Sequence, residues 1–100
     1  MNWFTVRHVL SLGEELFEER ITLWWARDFD EAISLAENEA SAHARITDHE
    51  DGVLPLFQAF LLSGRPTRGA EIYSLIRHSS LGPEEYLDRH FDSGDELTQS

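Results

Sequence analysis

The chain contains no cysteine and no lysine, and only one methionine and three prolines among its 100 residues. Without cysteine there can be no disulfide, no thiol nucleophile and no zinc-thiolate site. No apolar run approaches the roughly 18 residues of a membrane span. The opening "MNWFTVRHVL" lacks the basic segment that precedes the apolar stretch of a secretory signal, so a cytoplasmic protein is expected. A Gly-rich phosphate loop, a nucleophile elbow and an HExxH motif are all missing, as is any RNP-type segment. All eight basic residues are arginine, as a GC-rich genome would produce, and the formal charge is −11. A surface of that sign repels phosphate, so nucleic acid is not an expected partner.

The acidity is unevenly placed. Residues 28–51 carry eight acids against one arginine, and residues 82–100 six against one. Residues 1–27 and 52–81 are close to neutral. Apolar residues make up 41% of the chain and aromatics 11%, enough for one core at this length.

"WFTVRHVLSL" alternates with period two. Phe4, Val6, His8 and Leu10 form one row, and Trp3, Thr5, Arg7 and Val9 the other. Gly13 and the two glutamates after it read as a turn. A second strand is expected from about Phe17 to Ala26, ended by the D-x-x-E capping box of Asp28 and Glu31. The helix it opens, Phe29 to about Ala44, carries Ala32, Ala36, Ala40 and Ala44 as a smooth ridge suited to lying close on a sheet. "VLPLFQAFLLSG" reads as a strand that Pro55 confines to an edge or a strand start. "AEIYSLIRH" reads as a fourth strand, and Pro83 opens a short helix bearing Tyr86, Leu87 and Phe91.

The expected fold class is therefore α+β. Residues 1–92 form a single β-β-α-β-β-α domain, with a four-stranded, mostly antiparallel sheet and both helices on one face. Residues 93–100 follow as a polar, flexible tail.

Neighbours in a strand point to opposite faces, which divides the pair Trp24–Trp25. The alternation assigns Trp25, with Ile21 and Leu23, to the core, and Trp24, with Arg20 and Thr22, to the sheet face that the helices leave open. The core is then expected to hold Phe4, Val6, Leu10, Ile21, Leu23, Trp25, Phe29, Ile33, Ala36, Ala40 and Ile72. The open face would display an interaction surface of Trp3, Arg7, Arg20, Trp24, Tyr73, Leu75 and Arg77. Aromatics and arginine are the residues enriched at interface centres.

Metal and catalytic readings are weaker than their structural alternatives. His8 falls on the core row, where a hydrogen-bonded core or sheet-rim histidine is the simpler account. Glu39 and His43 stand four apart on the helix but have no third ligand, and a solvated helix face explains them. "DHEDG" lacks the glycine position and closing glutamate of a calcium loop. His90, at a helix end, needs no function beyond favouring the helix dipole. No catalytic, cofactor or metal residue is assigned.

The segments "WF" (Trp3, Phe4), "FEERITLW", "DFDEAISLAENEA", "GAEIYSLI" and "PEEYLDRHF" together resemble a small bacterial family, domain of unknown function 4288. The resemblance spans nearly the whole chain. Trp24–Trp25 departs from it, because a polar or basic residue often follows the first aromatic there. The family has no assigned activity, so the resemblance implies the fold and a cytosolic bacterial origin, and no catalytic residue carries over. The functional expectation is a non-catalytic protein-interaction module, homodimeric through the aromatic sheet face, whose acidic helical back would suit a basic partner in the manner of an immunity or inhibitor protein. The alternative is a small-ligand-binding or sensing domain using the same face.

Overall fold

The computed structural model describes residues 1–74 and 76–90. Its elements are strand β1 (Asn2–Gly13), strand β2 (Leu16–Ala26), helix α1 (Phe29–Ile46), a short 3-10 turn (Glu50–Gly52), strand β3 (Val53–Leu61) and helix α2 (Pro83–His90). β1 is central, antiparallel to both neighbours, in the order β2-β1-β3. The chain thus makes a hairpin, crosses the sheet as α1, and returns on the far side of β1.

The Asp28 cap forms as its spacing predicts, while the Glu31 carboxylate reaches back to Arg27 rather than to the Asp28 N–H. The Glu31 backbone N–H donates to Asp28 Oδ1 at 2.8 Å, and Arg27 donates to the Glu31 carboxylate through its backbone N–H (3.0 Å) and Nε (2.6 Å). Ala32, Ala36, Ala40 and Ala44 are all buried, so the alanine ridge seats α1 on Phe4, Val6, His8 and Leu10 of β1. Small side chains allow that close approach, and they also leave the flanks of the helix to reach sideways over the neighbouring strands.

Three expectations need correction. Among the described residues no fourth strand is formed: residues 70–74 and 76–78 belong to no ladder, and the sheet they show has three strands. Instead, Thr5 Oγ1 donates to the Ile72 carbonyl at 2.8 Å, so the segment crosses above β1 rather than pairing beside a strand. Secondly, among the described residues α1 alone packs on the sheet, and α2 has no buried residue. The expected contributions of Leu75, Phe91 and the 93–100 tail lie outside the described residues.

The third correction concerns β2, whose two faces are exchanged. Trp24 sits opposite Phe4, and Trp25 opposite Trp3. The cause is one residue. The turn residues Glu14 and Glu15 both have positive φ (51° and 65°), closing a two-residue loop between Gly13 and Leu16. A ladder running unbroken from that pair would place Trp25 opposite Phe4. Instead the register shifts between Ser11 and Gly13, leaving Leu12 as an extra residue beside Gly13 at φ 80°. A one-residue shift turns every later side chain of the strand to the other face.

The core accordingly differs from expectation. Phe4, Val6, Leu10, Ala36 and Ala40 are buried and Ile33 is half-buried, but Ile21, Leu23, Trp25, Phe29 and Ile72 are substantially exposed. Trp24 takes the place assigned to Trp25, packing against the Phe4–Val6–Ala32–Ala36 cluster while its indole Nε1 donates to Thr22 Oγ1 at 2.7 Å.

Candidate functional site: the open face of the sheet

The face opposite α1 carries three rows. β1 presents Trp3, Thr5, Arg7 and Val9; β2 presents Phe17, Glu19, Ile21, Leu23 and Trp25; β3 presents Gln58 and Phe60. Residues 70–74 strap the β1–β3 half. Tyr73 stands edge-on to Phe60 (centroids 5.0 Å apart), and its hydroxyl accepts from Arg7 Nη1 at 3.1 Å. The Arg7 guanidinium lies 5.7 Å from the Tyr73 ring centroid and also binds Glu19 at 2.9 Å, a bond that raises its pKa further. Thr5, on this open row, is fully buried by the strap.

Among the described residues the β2 half has no such cover. Phe17, Ile21, Leu23 and Trp25 are 61, 45, 42 and 49% exposed. Trp25 meets Trp3 at 5.2 Å between ring centroids, tilted by 54°, which extends the strip onto β1. At about half exposure, two aromatic and two branched aliphatic side chains present on the order of 400 Å² of apolar surface, as large as the largest patch on many monomers.

Of the residues expected at this surface, Trp3, Arg7 and Tyr73 gather there. Trp24 and Arg20 do not, being turned inward by the Leu12 bulge. Arg77 bonds the Tyr86 hydroxyl of α2 at 3.2 Å, and Leu75 lies outside the described residues. The alternation along β2 singled out the row of Ile21, Leu23 and Trp25 but assigned it to the wrong face. Only the pairing register, set by the bulge, could have placed it.

The inner face holds a polar group at the sheet–helix seam. Arg20 binds the Glu39 carboxylate through two hydrogen bonds of 2.7 and 3.0 Å, and His43 Nε2 meets Glu18 at 2.8 Å. The Arg20 bonds hold the Glu39 carboxyl below its ordinary value. Glu39 and His43, the half-site suggested by their spacing, are thus each engaged by β2. Beside them His8 is 1% exposed and stacked on Phe57 (5.1 Å, 12°), and neither ring nitrogen has a hydrogen-bond partner among the described residues. Burial, reinforced by the Arg20 charge, lowers its pKa. Among the described residues no three His, Asp or Glu side chains converge to hold a metal ion, and no helix is long and apolar enough to cross a membrane.

Neither family models, curated proteins nor solved structures provide a match to this chain. A groove of about 400 Å³ also opens at the β3 edge, between Phe29, Phe60 and the strap residues Glu71, Ile72 and Tyr73.

Proposed function

We propose that the chain is a non-catalytic protein-interaction module that self-associates through the open face of its sheet, along the outer row of β2. The observation that carries this reading is the contiguous row of Ile21, Leu23 and Trp25, about half exposed on one face of one strand. An apolar strip of this kind in a small protein is most often covered by a second copy. Charge favours the arrangement: residues 28–51, with eight acids to one arginine, include all of α1 on the opposite layer, so two copies meeting at the open face hold their acidic sides apart. That acidic back suits a basic protein as a further partner, in the manner of an immunity or inhibitor protein. The resemblance to the bacterial family 4288 is consistent with such a cytoplasmic module and adds no activity to it.

The test is sedimentation velocity at micromolar concentration. Trp25→Glu is expected to sediment as a smaller species than the wild type, while Trp3 and Tyr73 remain folded around it. A monomeric wild type, or a Trp25→Glu protein of unchanged size, refutes the reading. The groove beside Phe60 and Tyr73 favours a second reading, a small-ligand-binding domain. Thermal shifts that depend on an added small molecule and vanish in Tyr73→Ala would support it.

A further inference from the structure

The two edges of the sheet are guarded differently. β3 carries Pro55, and its ladder with β1 is irregular between the His8–Phe57 and Leu10–Val53 pairs, where that proline stands. Proline and irregularity are two ordinary means of keeping an edge from pairing with another chain. β2 has neither. Its eleven residues contain no proline or glycine, and the ladder with β1 is regular from Phe17 to Ala26. Charged side chains are the other common guard, and here all three are committed elsewhere in the chain. Glu18 meets His43, Glu19 meets Arg7, and Arg20 is held by Glu39.

We propose that β2 pairs antiparallel with β2 of a second copy, across a two-fold axis at Ile21, to make one continuous six-stranded sheet. Ile21 is the middle residue of the strand, so this register pairs all eleven. It sets Glu18, Glu19 and Arg20 opposite the partner's Trp24, Leu23 and Thr22, none of them charged. An axis at Arg20 or Glu19 instead sets like charges face to face, which is destabilising across a strand pair. On the open side Phe17 meets the partner's Trp25 at each end, and Ile21 meets its own equivalent at the centre.

The pairing rests on the self-association proposed above and supplies what that face lacks. One β2 row offers on the order of 400 Å², about half of the roughly 800 Å² per side of a stable interface. Two rows side by side reach that size, so the edge-paired dimer has a face large enough to close on a second one.

Hydrogen exchange and single-cysteine cross-linking test this on the intact chain, which has no thiol of its own. Alternate β2 amides of the wild type are expected to exchange roughly tenfold or more slowly at high than at low protein concentration. Mild oxidation should link Ile21→Cys into a covalent dimer. Phe17→Cys should stay unlinked, because the register holds the two copies of that position roughly 27 Å apart at about 3.4 Å per residue. If the wild type self-associates and Trp25→Glu shrinks it, yet β2 amides exchange equally at both concentrations, the edge pairing is wrong and the face reading stands. Equal cross-linking of the two cysteine variants also overturns the edge pairing. A monomeric wild type overturns both, and the exchange measurement decides even if a cysteine variant fails to fold.

Discussion

Acidification should destabilise this protein through one buried imidazole. His8 is enclosed by charged groups from two elements: Arg20 and Glu18 on β2, and Glu39 and His43 on α1. From β3 it meets the uncharged Phe57 ring. Burial first, and then the Arg20 charge, lower its pKa from the ordinary 6.5, whereas Glu39 and Glu18 oppose the shift. The folded chain therefore binds fewer protons at this site than the unfolded chain as pH falls past 6.5. The neutral ring's stability is fully present above that pH. It is lost on descending toward the folded-state pKa, at up to about 1.4 kcal/mol per pH unit for one proton. Glu39 acts in a separate window. Its lowered pKa gives stability that is present above about 4.5 and lost only at more acidic pH. In His8→Leu the titrating group is gone, so the slope between pH 6.5 and 5.5 should flatten. Leucine also relieves two ring nitrogens that have no partner among the described residues, a gain of about 1–3 kcal/mol. The lost ring stack offsets about 0.5–1.5 kcal/mol of it. A net gain on the order of 1 kcal/mol at pH 8 is expected. Urea unfolding, followed by tryptophan fluorescence at half-unit pH steps from 8 to 5, measures both effects. Equal slopes in wild type and His8→Leu between pH 6.5 and 5.5 would refute the assignment of the proton to this ring.

Three further substitutions probe the register and the tight approach beside it. Trp24→Ala should cost about 3 kcal/mol, because it empties space against Phe4 and Val6. Trp25→Ala, measured at dilution where copies are apart, should cost about 1 kcal/mol or less; denaturant midpoints rank the two, and the reverse order contradicts the bulge at Leu12. Gly52→Ala should cost about 1–3 kcal/mol by the same denaturation, since its added methyl would be driven into the Ser11 carbonyl oxygen and the Leu10 side chain.

Features that depend on one stretch of chain were legible in the sequence. The alternation of β1, the Asp28–Glu31 box, the alanine ridge and the edge position signalled by Pro55 each state their own outcome locally. The faces of β2 were not legible, because they depend on two elements at once. Glu18, Arg20 and Thr22 look like a wet row until α1 brings Glu39 and His43 over them. The narrow alanine ridge lets those flanking residues reach the strand, so a polar row is satisfied inside and an apolar row is left outside. The stretch from Glu71 to Arg77 is similar: its alternation encodes extended chain but not a ladder partner. Tyr73 found Arg7 and Phe60 across the sheet face instead. The residues of the open face were therefore anticipated in three positions, Trp3, Arg7 and Tyr73, and misassigned along β2, the strand that contributes most of it.

The strand order has a consequence for how the chain emerges during synthesis. Of the three strands of this sheet β1 is made before the others and is the central one, yet its second neighbour ends only at Leu61, 35 residues after the hairpin closes at Ala26. At about 5–20 residues per second, a ribosome takes roughly 2–7 s to supply that neighbour. Until α1 is complete at Ile46 the hairpin can exist as a two-stranded ribbon, apolar on both sides, with Phe4 and Val6 awaiting the helix and Leu23 and Trp25 on the reverse. The β3 side of β1 stays unpaired until Leu61 emerges, and slower translation across residues 27–61 would lengthen that exposure in direct proportion.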